Sequence, residues 1–341
     1  MYNIVDTYKR IYKLKSVKSK IVNDNSINFI FFDNFGNFYS VKNKLVEYSS
    51  SLSLCLVSII LNIEKIYKVK IYNFFPVCFV NNNSMLFACK IKYPSNCLTK
   101  YKKDNTDINE FSDLIKKQIK YYSDDYDDER LLLERYSNRY RVYQNFIKRY
   151  FLTEKRRRKK EYLDLLKTLV GNEVKSIIDV SCGDNADIFK ISNNIDLVVG
   201  NDINLYHVRN NQFRYKDVFF TNDNLLNLNY DKDIFDISYC KNTLHHLNGN
   251  KELNEALENL YKVSKKMIIV EIEDPKITGG MPRFLNKYLY IKYLKDAGKK
   301  FLSFYKFKTT IDEKFSDKAN ISYLTFENIL GKYMIAIIEK R

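Results

Sequence analysis

The stretch SIIDVSCGDNADIF, residues 176–189, and the apolar run that ends in LVVGND at Asp202 decide the fold of this chain. An apolar strand leads into Asp179, and a turn of small and polar residues follows. An acidic residue then closes the next strand, 19 positions after Gly183. This order is typical of a nucleotide-binding βαβ unit, in which the acidic side chain accepts hydrogen bonds from ribose hydroxyls.

The turn itself favours a cofactor that carries positive charge. Asp179 stands two residues before the position at which a dinucleotide-binding turn has its first glycine. A carboxylate there would repel a pyrophosphate but would attract an ammonium and a sulfonium group. Gly183 allows close approach of the backbone, and the helix predicted after the turn would offer unpaired N–H groups. We therefore expect S-adenosylmethionine rather than NAD.

Residues from about 165 to 341 resemble the class I S-adenosylmethionine-dependent methyltransferases. The first motif of that family, acidic-x-Gly-x-Gly-x-Gly, is matched by Asp179, Ser181, Gly183 and Asn185, so only the middle glycine is retained. Serine is small and asparagine tolerates left-handed backbone, so both are mild replacements. The resemblance implies an α/β fold with a Rossmann-like methyltransferase sheet, mostly parallel with an antiparallel C-terminal pair.

Three further segments follow in the order of the family. They are VFFTNDNLLNL at 218–228, IFDISYCKNTLHHL at 234–247 and MIIVEIEDP at 267–275. In the first, the resemblance implies that Asp223 receives the adenine amino group and that the backbone amide of Asn224 meets the ring. The second resembles the fourth strand and turn of the small-molecule and quinone-type branch. The third predicts a buried fifth strand that ends in carboxylates and a proline.

The resemblance implies one site at the carboxyl edge of this sheet. The candidate cofactor-binding residues are Asp179, Ser181, Gly183, Asn185, Asp202, Ile203, Asp223, Asn224, Lys241 and Asn242. The candidate general bases are His245, His246 and Glu273, with Glu271 and Asp274 as the other ionisable groups nearby. Two alternatives are open: Asp202 and Asp223 as ordinary strand-end carboxylates, and one of the two histidines as a packed side chain beneath the sheet edge. Methyl transfer needs no metal, and no metal site is predicted.

A smaller α+β domain is predicted before this region, over residues 1–105. INFIFFD and NFYSVKNK predict a hairpin, SLSLCLVSIILNIEKIY a helix, and YNFFPVCFV and SMLFACKIKY two more strands. This order resembles a degenerate Nudix-like domain. That family hydrolyses nucleoside diphosphates through several helix glutamates that bind magnesium, whereas this helix retains only Glu64. We expect the fold without the hydrolase activity.

The remaining domain predictions are a helical connector and active-site cover at 106–170 and the methyltransferase domain at 171–341. We expect the latter to fold without residues 1–105, since its cofactor segments all follow residue 176. In the connector, Leu132, Tyr136, Tyr140 and Tyr143 share one helix face, which is more often core than pocket lining. Near the end of the chain, FLSFYKFKTT and YMIAIIEK predict the final antiparallel strand pair.

The chain has a formal net charge of +16, and basic residues concentrate at 148–160. A solvated helix between domains is the simpler interpretation, and binding of a phosphate-bearing partner or a nucleic acid is the alternative. The six cysteines have no zinc-like spacing, which indicates buried thiols in a reducing compartment. The longest apolar run, residues 54–61, is too short to span a bilayer. We expect a cytoplasmic protein.

The predicted function is methyl transfer from S-adenosylmethionine to a small-molecule or metabolite acceptor. The turn Lys241-Asn242-Thr243-Leu244 lacks the Pro-Pro-aromatic pattern with which amino-methylating DNA enzymes grip a flipped base. An RNA- or nucleotide-directed methyltransferase is one alternative. A scaffold that binds the cofactor without turnover is another, because of the departures at Ser181 and Asn185. The sequence carries no signal for an oligomeric state.

Overall fold

The computed structural model describes part of the 341-residue chain. The described residues are 4–18, 26–33, 37–40, 46–49, 56–80, 84–100, 111–116, 160–183, 187–192, 194–273, 302–328 and 331–341. Two compact units are present: Met1–Asp124 with Asn201–Asp231, and Asp125–Gly200 with Lys232–Arg341. The basic run at 148–159, the tyrosine stripe, Asn185 and Asp274 lie outside the described residues. The predicted domain boundaries stay predictions.

A seven-stranded mixed sheet forms most of the N-terminal part of the first unit. Its elements are α1 Ile4–Ile11, β1 Ser16–Val17, β2 Ser26–Phe32, β3 Phe38–Ser40, β4 Val46–Ser49, α2 Leu56–Tyr67, β5 Ile71–Val80, β6 Ser84–Ile91, β7 Thr99–Lys100 and α3 at 111–116. The strand order is β1-β5-β6-β2-β3-β7, with β4 paired to β2. The predicted hairpin is present as β2 and β3, and the two later strands pair as β5 and β6.

The core of this sheet is made by alternating apolar side chains. Ile30 and Phe32 of β2 point into the same core as Leu86 and Ala88 of β6, because every second residue of a strand lies on one face. Phe111 and Ile115 of α3 are buried against this core, since residues four apart share a helix face. The N-terminal region is therefore an α+β structure, as predicted.

A second seven-stranded sheet carries the predicted methyltransferase segments. Its elements, after α4 at 160–170, are β8 Ser176–Asp179, β9 Leu197–Asn201, α5 Leu205–Arg214, β10 Phe219–Thr221, β11 Phe235–Lys241, α6 Asn250–Val263, β12 Ser264–Ile272, α7 Phe304–Phe315, β13 Ala319–Asn328 and β14 Gly331–Lys340. The strand order is β10-β9-β8-β11-β12-β14-β13. The pairs β8–β9, β8–β11 and β11–β12 are parallel, and β14 is antiparallel to both β12 and β13.

This order confirms the predicted Rossmann-like sheet with an antiparallel C-terminal pair. The first five strands follow the doubly wound order 3-2-1-4-5, which reverses direction between β8 and β11. The strands β8 and β12 are almost entirely buried, as expected for strands covered on both faces. Ligands bind outside the carboxyl ends of the strands at such a reversal. We therefore expect the ligand site at the carboxyl ends of β8 and β11.

One prediction near the C-terminus is wrong. FLSFYKFKTT, predicted as a strand, contributes most of helix α7, and the antiparallel partner of β14 is β13. The side chain of Ser303 caps α7 by accepting a hydrogen bond from Lys306 N at 3.2 Å. Phe307, Ile311 and Phe315 are buried on one face, and their spacing of four fits a helix better than the alternation of a strand.

The connection after Gly183 also differs from the prediction. Where a helix was predicted, Ile188–Lys190 form a single 3-10 turn. Only 13 residues separate Gly183 from Leu197, and several are serine, asparagine or aspartate, whose side chains compete with helical hydrogen bonds. Across the described ranges, no helix is both long and apolar enough to cross a membrane.

Candidate functional site

The carboxyl ends of β8 and β11 lie side by side in register, with Asp179 opposite Tyr239. Asp179 is buried and accepts a hydrogen bond from the backbone N of Ser181 at 3.1 Å. The backbone N of Val180 donates to Tyr239 O at 3.0 Å. The predicted first motif therefore begins at the strand-order reversal, with its carboxylate held at the start of the turn.

The turns after the two strands are joined through hydroxyl groups. Thr243 Oγ1 donates to Ser181 Oγ and also lies 3.0 Å from Lys241 O. Gly183 has a φ of +52°, a left-handed conformation that favours glycine. A Cβ placed on Gly183 would meet no described atom within 4 Å. Among the described residues, none would contact a side chain at the middle glycine of the motif, so the left-handed backbone is the reason that favours glycine there.

Asn242 is the most informative residue of the turn after β11. Its φ is +54°, and its backbone N donates to Val270 O at 2.8 Å. Its side-chain Oδ1 is buried and finds no hydrogen-bond donor among the described residues. A buried acceptor without a donor is unfavourable unless a ligand supplies one. Together with the Asp179 carboxylate, this acceptor fits a cofactor that carries an ammonium group.

Glu271 organises the turn from beneath. Its Oε1 accepts hydrogen bonds from the backbone N of Thr243 at 2.7 Å and of Leu244 at 2.8 Å. Its Oε2 lies 2.8 Å from Nδ1 of His245. Both side chains are buried. Of the two adjacent histidines, His245 is thus the packed one, and Glu271 fixes the orientation of its ring.

The other two candidate bases differ in their surroundings. His246 is exposed, and its ring centroid lies 4.4 Å from that of His245. Glu273 is buried and accepts a hydrogen bond from the backbone N of Phe304, the first residue of α7, at 3.2 Å. The Lys332 ammonium lies 3.5 Å from its other carboxylate oxygen. Glu273 therefore stabilises the start of α7, where a carboxylate interacts favourably with the helix dipole.

Lys241 is held beside the motif turn rather than in open solvent. Its Nζ donates to Asp187 at 2.8 Å and lies 4.3 Å from the ring centroid of Tyr162. Burial acts to lower the pKa of Lys241, but Tyr162 and Asp187 outweigh burial and raise it above its ordinary value. Lys190 also contacts Asp187. Lys241, predicted as a cofactor residue, thus fixes the segment that follows the turn.

Asp202 follows β9 and shapes the entry to α5. Its Oδ1 accepts a hydrogen bond from the backbone N of Asn204 at 2.8 Å, and Asn204 in turn caps α5 through Tyr206 N. The backbone carbonyls of Asp202 and Ile203 both accept hydrogen bonds from Nδ2 of Asn222, at 2.7 and 2.8 Å. The two predicted cofactor residues on this loop are therefore set by Asn222.

Asp223 is fully buried, and its Oδ2 accepts hydrogen bonds from the phenols of Tyr12 and Tyr230. Burial raises the pKa of Asp223 to about 6, and the two phenols act in the opposite direction. The next residue, Asn224, caps a 3-10 turn by accepting from Leu226 N at 2.9 Å. The predicted adenine acceptor is therefore already part of a hydrogen-bond network within the protein.

The residues that position Asp202 and Asp223 are absent from the candidates predicted from the sequence. Asn201 and Asn222 stand beside them in the chain, and a polar residue at the end of an apolar strand is a usable signal. Tyr12 gives no such signal, because it lies 211 positions before Asp223. The roles of all these residues toward a ligand stay predictions.

Part of this chain is similar to known methyltransferases. Residues 178–268 match the model of the family described as methyltransferase domain. The curated proteins gave no match. The structure is similar to the N-methyltransferase NodS of Bradyrhizobium japonicum, crystallised with S-adenosylhomocysteine (11% identity, 53% of this chain and 86% of the other, TM-score 0.41). It is also similar to the magnesium protoporphyrin IX methyltransferase of Synechocystis with the same ligand (15%, 55% and 86%, TM-score 0.41).

Proposed function

We propose that this chain, whose residues 178–268 match the methyltransferase-domain model, transfers a methyl group from S-adenosylmethionine to a small-molecule or metabolite acceptor. The observation that supports the proposal is the group of acceptors at the ends of β8 and β11. There, the carboxylate of Asp179 is buried at the start of the first turn, and the buried Oδ1 of Asn242 in the second turn finds no hydrogen-bond donor among the described residues. Oxygen acceptors in two adjacent turns suit a cationic ligand.

Each predicted cofactor residue has a proposed role. Asp179 and Asn242 hold the ammonium end, and Gly183 leaves room for close approach of the backbone. Asp202 accepts the ribose hydroxyls, and Asp223 accepts the adenine amino group, both through charge-assisted hydrogen bonds. Ser181 and Thr243 keep the two turns together through their hydroxyl contact. Asn185 completes the first motif by sequence.

S-adenosylmethionine supplies a methyl group that is already activated by the sulfonium. The protein then has to hold the acceptor nucleophile in line, exclude water and remove a proton where the acceptor needs it. The buried Glu271 keeps the turn after β11 in one conformation through Thr243 N and Leu244 N. A turn fixed in this way favours positioning of the acceptor as the main contribution of the protein to catalysis.

The turn after β11 supports a small acceptor. It consists of Lys241, Asn242, Thr243 and Leu244, without the Pro-Pro-aromatic pattern of base-flipping enzymes. Lys241 is engaged with Asp187 and Tyr162, so the first position of the turn is not presented as a phosphate-binding cation. These features support a small acceptor over a nucleic acid.

Calorimetry with S-adenosylmethionine and S-adenosylhomocysteine tests the cofactor first, and a screen of small acceptors by methyl transfer follows. We expect binding of both ligands, and weaker binding by Asn242→Ala, which removes the unpaired acceptor. Ser316→Ala, at the C-terminal end of α7, is the control and should bind both ligands like the wild type. No binding by the folded protein would reject the proposal. Binding without transfer to any acceptor would favour the scaffold, and salt-dependent RNA binding would favour the RNA-directed enzyme.

A further inference from the structure

The end of helix α1 lies against the segment that contains Asp223. Tyr12 forms an antiparallel β-bridge with Tyr230. The backbone N of Lys13 donates to Asn229 O at 2.8 Å, and that of Asp231 donates to Ile11 O at 2.9 Å. These backbone bonds fix the position of Tyr12 relative to residues 229–231, independently of its side chain.

The side chain of Tyr12 points at the carboxylate. Its phenol and that of Tyr230 both donate to Oδ2 of Asp223, and the Tyr230 oxygen lies 2.8 Å from Thr221 Oγ1. All of these groups are buried. Two donors on one carboxylate oxygen stabilise the ionised form and fix the plane of the group.

The backbone of Asp223 is fixed from the other side. Asn201, the last residue of β9, accepts from Asp223 N at 2.7 Å and donates to Asp223 O at 3.0 Å. Its Oδ1 also accepts from Thr221 Oγ1 at 2.9 Å. Separate contacts thus position the main chain and the carboxylate of Asp223. Of these contacts, the hydrogen bond from Tyr12 comes from the N-terminal part of the chain.

We propose that Tyr12 is a positioning residue for recognition of the adenine amino group: it holds the Asp223 carboxylate as an oriented hydrogen-bond acceptor. The inference rests on the proposed function, in which Asp223 receives that amino group. An N–H donor bonds more strongly to an ionised carboxylate than to a protonated one, and the hydrogen bond from the Tyr12 phenol favours the ionised form. The N-terminal domain therefore contributes to cofactor recognition through α1.

A second contact from the N-terminal sheet supports this inference. The backbone N of Phe74 in β5 donates to Oδ1 of Asn222 at 3.2 Å, and Nδ2 of Asn73 donates to Ile203 O at 3.3 Å. Asn222 in turn holds the carbonyls of Asp202 and Ile203. Both loops assigned to the nucleoside are therefore held by residues that precede position 75.

The same helix provides a matched control. Tyr8 is fully buried one turn before Tyr12, and the two rings stack with centroids 4.8 Å apart. The hydroxyl of Tyr8 is buried but meets no hydrogen-bond partner among the described residues. Tyr8→Phe and Tyr12→Phe therefore remove the same atom from similar surroundings, and only the second removes a donor to Asp223.

The experiment compares two ligands by calorimetry between pH 5 and pH 8. One is S-adenosylmethionine, and the other is its analogue without the 6-amino group of the base. We expect Tyr12→Phe to weaken S-adenosylmethionine binding about tenfold or more at pH 7 and to leave binding of the analogue unchanged. Tyr8→Phe should bind both ligands like the wild type.

The pH profile provides a readout that a structural role alone would not change. Among the described titratable groups, the phenols of Tyr12 and Tyr230 act on the pKa of Asp223. The charge of Asp223 in turn raises the pKa of Tyr8. Without the Tyr12 donor the pKa of Asp223 rises further, so the ionised acceptor is lost at a higher pH. The acid limb of S-adenosylmethionine binding should therefore move to higher pH in Tyr12→Phe.

Three results would overturn the inference. An equal loss for both ligands would assign Tyr12 a structural role only, and unchanged binding would show that its phenol is not needed. Tighter binding by Tyr12→Phe would mean that Tyr12 competes with adenine for Asp223. If Tyr12→Phe does not fold, Tyr230→Phe removes the other donor and gives the same comparison. A folded wild type that binds neither ligand rejects the proposed function itself, which separates the two failures.

Discussion

Arg209 of α5 donates two hydrogen bonds to the carboxylate of Glu64 in α2, at 2.7 and 3.0 Å. The backbone N of Ile71 donates to the same carboxylate at 2.7 Å. Glu64 is the only glutamate that the helix retains from the Nudix-like pattern. Its oxygens are engaged within the protein, so a structural role replaces the magnesium-binding role that the resemblance would imply.

Glu64→Gln should therefore lower stability rather than any hydrolytic activity. Loss of the charge on one partner of a two-bonded, largely buried pair should reduce the free energy of unfolding by about 2 kcal/mol. Denaturant unfolding measures this, with Lys65→Gln as the control on the exposed face of the same helix. We expect no magnesium-dependent hydrolysis of nucleoside diphosphate compounds by the wild type. Such hydrolysis, if abolished by Glu64→Gln, would contradict this interpretation.

The sequence predicted the elements of both sheets well where the signal is local. The apolar strand before Asp179 and the hairpin of β2 and β3 follow from alternation and turn residues. The strand predicted at 301–310 is wrong because aromatic residues have high β propensity. The cap at Ser303 and the burial of Phe307 instead favour the helix that begins at Phe304. Local pattern cannot separate these cases when tertiary burial decides.

The sequence predicted less of the site, because its supporting contacts join distant positions. Asp202 and Asp223 were found from their strand ends, but their partners Asn222 and Tyr12 were not. The sequence places Glu271 only among the ionisable groups near the site, and its contact with His245 requires the pairing of β11 with β12. Such pairings have no signature in a single sequence.

Removal of residues 1–105 should destabilise the protein, contrary to the expectation from sequence alone. Residues Asn201–Asp231 cluster with Met1–Asp124, and truncation would remove the partners of Asp223, Asn222 and Arg209. Asp223 would retain Tyr230 but lose Tyr12 as a donor, and loss of one hydrogen bond to a buried carboxylate is unfavourable by about 1–3 kcal/mol. We expect a fragment that begins at residue 106 to lack a cooperative thermal transition. A cooperative transition together with wild-type cofactor affinity would contradict this prediction and restore the independent domain.

Asp202→Ala should weaken S-adenosylmethionine binding by about 2 kcal/mol or more, because a charge-assisted hydrogen bond to the ribose is lost. The variant also removes the acceptor for Asn204 N at the start of α5. Asp202→Asn is therefore the matched control, since its amide oxygen retains that local bond. Calorimetry should show that both variants lose affinity, the first more than the second. Wild-type affinity in folded Asp202→Ala would reject the ribose assignment.

Asp223 should make stability depend on pH in an identifiable window. Its pKa is raised from 3.8 to about 6 in the folded protein, so the folded state binds a proton more tightly than the unfolded state. The stabilising contribution is complete below pH 3.8 and is lost as pH rises through about 6. The difference between the two pKa values corresponds to roughly 3 kcal/mol. Denaturant unfolding of wild type and Asp223→Asn at several pH values measures it, and the difference curve should decline from pH 4 to pH 7. A flat difference curve would contradict the shifted pKa.

The surroundings of the candidate bases favour His246 as the residue that removes a proton during methyl transfer. His246 is exposed beside the turn, whereas Glu273 is bonded to Phe304 N and lies near Lys332. We expect His246→Ala to lower the single-turnover rate about a hundredfold with S-adenosylmethionine affinity intact, as for loss of a general base.

Glu273→Gln should retain its rate, because the amide oxygen still accepts from Phe304 N, and should lose mainly stability through the weaker contact with Lys332. His245→Ala should reduce both affinity and rate, since it leaves the Oε2 atom of buried Glu271 without its His245 partner. Rapid-quench methyl transfer with the identified acceptor, beside calorimetry on each variant, separates these three patterns. A rate loss confined to Glu273→Gln would transfer the base role to that residue. Near wild-type rates in His246→Ala and Glu273→Gln would leave positioning by the Glu271-held turn as the better account of catalysis.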